Sequence, residues 1–152
     1  MTLPAQAVVA LILLSSARAQ SPAERSMMAQ SFASEKVWMW QKRMGLGDWD
    51  ISVKVSRAAD LKPHTLGNVQ WNTRKKTAVI HVLDPADYDL SPAEALRDIE
   101  FTVVHELIHL EILPILADLK RPDANRAETE SAINHMVGAL LDLDRRAPQS
   151  QE

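Results

Sequence analysis

Apolar positions recur at helical spacing from Pro22 to about Met44, where Phe32, Val37, Trp40 and Met44 share a face that Glu35 interrupts. Ser21 followed by Pro22 reads as an N-cap and first helical residue, and Gly45-Leu46-Gly47 reads as the stop. Trp38 and Trp40 are expected in the core or at its edge. The period then changes to two. Ile51, Val53 and Val55 alternate with polar residues within Trp49–Val55, the pattern of a half-buried strand. Residues 57–65 read as a loop containing Pro63 and His64. Two further β-rich runs, Leu66–Trp71 and Thr77–Leu83, flank the polar hairpin connection Asn72-Thr73-Arg74-Lys75-Lys76. Asp84-Pro85-Ala86-Asp87 breaks the last strand.

Helical spacing returns after Ser91-Pro92-Ala93-Glu94, which places Ser at a cap and Glu three residues on. Ala95, Ile99, Thr102, Val103, Glu106, Leu107 and Leu110 follow, and Pro114 is expected to end or kink this helix. A polar turn spans Asp118–Asp123. A final helix runs from about Ala124 to Arg146 with Ile133, Met136, Val137 and Leu140 on one face. The order helix, three strands, helix, helix argues an α+β domain with an antiparallel or mixed sheet. At 152 residues the chain fits one domain, expected over 20–147, with residues 148–152 a polar tail.

The N-terminus changes the picture of where the chain works. Ala7–Leu14 is an eight-residue apolar run, followed by Ser15, Ser16 and Ala17-Arg18-Ala19, an A-x-A cleavage pattern. This has the order of a secretory signal peptide over 1–19 and is too short to span a membrane, although Met1–Gln6 carries no Lys or Arg. The expectation is a secreted or periplasmic protein beginning at Gln20, with no stable membrane span once the signal is removed. A formal charge of −3 argues against a nucleic-acid partner, and Arg74-Lys75-Lys76 reads as a solvated turn. The absence of cysteine excludes disulfide frameworks and cysteine zinc fingers, so a zinc site must use His and carboxylates.

His105-Glu106-Leu107-Ile108-His109 supplies that chemistry. Histidines at i and i+4 stack on one helix face, so both imidazoles can reach one metal. Glu106 lies to the side of the pair, where it can take a proton from a water whose pKa zinc has lowered. The apolar setting of Phe101, Val103, Val104, Leu107, Ile108 and Leu110 makes burial of these polar groups costly unless a metal satisfies them. A third ligand is needed. Glu130 lies about 60° from the centre of the apolar face of the last helix and Glu128 about 140° away, which favours Glu130 with Glu128 as the alternative. Asn134, one turn after Glu130, is placed to hydrogen-bond a ligand. Glu111 reads as surface. His64, His81, His135 and Tyr88 are oxyanion donors by type only, and His81 should face away from Ile80 and Val82.

This HExxH helix with a later helical Glu resembles the gluzincin class of zinc peptidases, and the layout over about residues 49–143 is similar to the single-domain minigluzincins. Glu130-Ser131-Ala132-Ile133-Asn134 is similar to the glutamate helix of that class. The eighteen-residue spacing from His109 is one seen in aminopeptidase members and speaks for Glu128. The resemblance implies a zincin-like fold, one Zn2+ per chain and hydrolysis of a peptide bond in a peptide or protein substrate. It also implies an edge strand beside the cleft, at Leu66–Trp71 or Thr77–Leu83, to which an extended substrate could add. The chain lacks the large second domain of full-size members. The main alternative is a catalytically silent zinc-binding regulatory or interaction module, against which an intact Glu106 speaks. A helical envelope or interaction protein with a coincidental motif is a third reading.

Overall fold

The computed structural model describes residues 20–118 and 126–147; the expected signal segment 1–19, the turn at 119–123 and the tail 148–152 lie outside them. Helix α1 (Pro22–Arg43) begins in a reciprocal cap. The Ser21 N–H donates to Glu24 Oε2 at 2.6 Å, and the Glu24 N–H donates to Ser21 Oγ at 3.2 Å. It ends where Gly45 turns to φ +71°. There the Leu46 N–H reaches Gln41 O at 3.0 Å and the Gly45 N–H reaches Lys42 O at 3.3 Å, so two of the orphan carbonyls are used. Ala29, Ala33, Val37 and Trp40 are the buried side of the helix. Trp38 departs from expectation. It is 68% exposed, with Lys42 Nζ 5.6 Å from its ring centre, because it lies on the side of the helix away from Trp40.

Strands β1 (Asp50–Ser56), β2 (Gly67–Asn72) and β3 (Thr77–Leu83) form one sheet in the order β1-β3-β2. β1 runs parallel to β3 and β2 antiparallel, so the sheet is mixed. The β2–β3 turn places Lys76 at φ +53° and is held by the Lys75 N–H on Asn72 Oδ1 at 3.1 Å. Val53, Ile80 and Val69 are direct neighbours across the three strands and share the face that meets the helices. The outer edge of β1 is closed by a side chain. Gln30 of α1 donates to Val53 O and accepts from the Val55 N–H, each at 2.9 Å, as a neighbouring strand would.

Helix α2 (Pro92–Asp118) packs on β2, β3 and α1, and α3 (Arg126–Arg146) packs on α2. Ile99, Val103, Val104, Leu107 and Leu110 of α2 meet Ile133 and Val137 of α3 and Ile80 and Val82 of β3 in one core. Sheet and helix approach closely at Gly67. A Cβ there would lie 2.4 Å from both His81 O and Thr102 Cγ2. Pro114 does not end α2, which continues through it to Asp118. The described residues are thus α+β, with three α-helices and a small mixed sheet.

Candidate metal centre

His105 and His109 lie one turn apart on α2, on the flank that α3 approaches. Their Nε2 atoms are 3.0 Å from each other. Glu130 of α3 reaches both, with Oε2 3.1 Å from His105 Nε2 and Oε1 3.4 Å from His109 Nε2. One ligating atom from each of the three residues falls within 4.8 Å of the others, so the group could hold a metal ion. The donor set is two imidazoles and a carboxylate. A tetrahedral ion with bonds near 2.0–2.1 Å separates its ligand atoms by about 3.3 Å, close to the contacts seen here. The residues therefore fit such a group.

The helix wheel explains why Glu130 and not Glu128 arrives here. Glu130 neighbours the buried Ile133 and Val137 stripe, whereas Glu128 is exposed on the far side of α3. Asn134, one turn on, has its Oδ1 3.0 Å from His105 Nδ1. An acceptor at that nitrogen selects the Nδ1–H tautomer and leaves the Nε2 lone pair aimed into the cluster. Burial holds His109 below the ordinary histidine range against the opposing pull of Glu130.

Glu106 lies one turn after Thr102, whose side chain meets Gly67 of β2, and is only 7% exposed. Burial, with the charge of Glu130 added, pushes its carboxyl up to about 7. A cation held by the three ligands would offset that repulsion and draw the value down.

The other sequence candidates lie elsewhere. His81 is on the sheet face opposite Ile80 and Val82, with Nδ1 2.8 Å from Ser56 Oγ; burial and Lys54 hold it below the usual range. His64 is exposed at φ +60°, and His135 is exposed on α3. Tyr88 is pushed up to about 12 by burial, with Asp98 and Asp84 beside it, so its hydroxyl stays protonated. Glu111 is exposed. Phe101, expected only as part of the apolar setting of the helix, stacks on His105 with ring centres 6.4 Å apart. Its signal was the four-residue spacing that makes helical side chains neighbours. No helix among the described residues is long and apolar enough to cross a membrane. Set against known protein families, curated proteins and solved structures, the chain matches none of them.

Proposed function

We propose that this chain is an exported zinc-dependent metallohydrolase that cleaves peptide bonds, with His105, His109 and Glu130 as ligands of one zinc ion and Glu106 as general base. The observation that carries the proposal is the convergence of three ligating side chains from two helices beside a buried carboxylate. When bound, zinc supplies Lewis acidity toward a carbonyl and toward water. The rest is done by the chain. The Glu106 carboxylate takes a proton from the attacking water and passes it to the leaving amide nitrogen. Asn134 and Phe101 orient the His105 ring. Gly67 lets β2 lie against α2, which sets an edge strand beside the site for an extended substrate. Zincin-like architecture and the gluzincin resemblance belong to the same proposal, as does export through residues 1–19.

A catalytically silent metal-binding module is the second reading. In its favour stands the burial of Glu106, since a base must meet water. Metal content and hydrolysis of a mixed peptide substrate, measured on the chain from Gln20 onward, separate the two. The proposal expects one zinc per chain and hydrolysis that Glu106→Gln removes while the metal stays. Zinc without hydrolysis would leave the silent module, and no zinc after reconstitution would sink both.

A further inference from the structure

The N-terminal cap of α1 is complete within Ser21–Glu24, immediately downstream of the A-x-A pattern that ends at Ala19. Ser21 Oγ, the Ser21 N–H, the Glu24 N–H and the Glu24 carboxylate satisfy one another, and the Arg25 N–H reaches Ser21 O at 3.0 Å. A chain cut after Ala19 keeps all of these bonds. It also presents a glutamine as its first residue. Gln20 is exposed, and among the described residues its side-chain amide makes one hydrogen bond, from Nε2 to Met28 Sδ at 3.0 Å. Thioether sulfur is a weak acceptor, so this contact gives way at little cost.

We propose that Gln20 of the exported chain is a modification site, closing on itself to a pyroglutamyl terminus. This rests on the export reading above. The α-amine lone pair attacks the side-chain Cδ of the same residue. The N–Cδ bond forms, the Cδ–Nε2 bond breaks, and Nε2 leaves as ammonia with the proton given up by the amine. No oxidant or second reactant is consumed. An α-amine titrates near 8, so a reactive unprotonated fraction exists at neutral pH. Nucleophile and amide carbonyl share one residue and close a five-membered ring, which replaces a bimolecular step with an intramolecular one. The charge at the helix end favours the product. A protonated amine one residue before the N-cap of α1 faces the positive end of that helix, and the lactam is neutral. Glu24 keeps its bond to the Ser21 N–H in either form, so the cap survives the reaction.

The test is the intact mass of the full chain after export from a bacterial host, followed during incubation at neutral pH, with α-amine labelling alongside. The expected species starts at Gln20, is lighter by one ammonia, and grows at the expense of the labelled form. Gln20→Asn, whose shorter side chain cannot close that ring, should keep its amine. A chain that starts at Gln20 and stays fully labelled would overturn the cyclisation alone. A chain starting at any other residue would overturn the leader reading and this proposal with it. The mass tells these two failures apart.

Discussion

Glu106 and Glu130 carry the same side chain, and their surroundings set them to different tasks. Glu130 is over a third exposed and spans two imidazoles with its two oxygens, whereas Glu106 is buried on α2. On the proposed function, Glu106→Gln should keep zinc stoichiometry and lower kcat by about 10²–10⁴-fold, the usual range for losing a general base. His109→Ala and Glu130→Ala should lose the metal, and Glu128→Ala should retain it, as read by metal analysis after dialysis. The reverse result for the two glutamates would move the third ligand to the far side of α3. Asn134→Ala should weaken zinc binding by about 10–100-fold, because the Nδ1–H of His105 loses its acceptor and the ring its orientation. At this scale the residue types were legible before folding: i, i+4 histidines define a face, and the wheel ranks Glu130 above Glu128. The contact of Asn134 with His105 in particular, and the stacking of Phe101, depend on distances that spacing does not contain.

Elements are held by their ends and by one close approach. Ser21 and Ser91 each accept the N–H of a glutamate three residues on, and the two carboxylates sit below the usual carboxylate range through hydrogen bonds from those serines. Asp87 is held down in the same direction by Arg57, with the Ala58 N–H adding to it. Carboxyls depressed in the folded state contribute stability that is present above their unfolded values near 4–4.5 and is lost as pH falls through the folded ones. Urea midpoints should therefore fall between about pH 5 and pH 3, and Glu24→Gln should flatten part of that fall. A midpoint that does not move with acid would refute the assignment. Ser21→Ala should cost about 1 kcal/mol. Gly67→Ala should cost about 1–3 kcal/mol, the range for overpacking, and Thr102→Ser should relieve only part of it because the His81 carbonyl remains in the way. Cap and strand patterns gave the starts of α1 and α2 and all three strands within a residue. Pro114 was expected to end or kink α2, and the helix passes through it, since proline removes one hydrogen bond and burial along the rest of the helix outweighs that loss.

Across the whole molecule the candidate centre joins two helices that pack through apolar contact and the Asn134–His105 hydrogen bond. Three ligands from α2 and α3 would make a bound ion a tie between them. Zinc at about a hundred-fold excess over its Kd should then stabilise the fold by about 2.7 kcal/mol, a shift in thermal midpoint that a chelator reverses and that Glu130→Ala abolishes. An equal shift in that variant would place the metal elsewhere. The α+β class, the helix carrying His105 and His109 and the glutamate helix were set by local periodicity and end signals, which act over a few residues and so are written in the chain. Strand order and direction were not. β1 lies parallel to β3 with β2 outside it, and Gln30 of α1 takes the place of a fourth strand. These pairings join residues far apart in sequence, and alternation marks the two faces of a strand without naming its neighbours. The tertiary structure alone decided that Glu130 meets the two histidines, because that contact requires the Ile133–Val137 stripe to pack on α2.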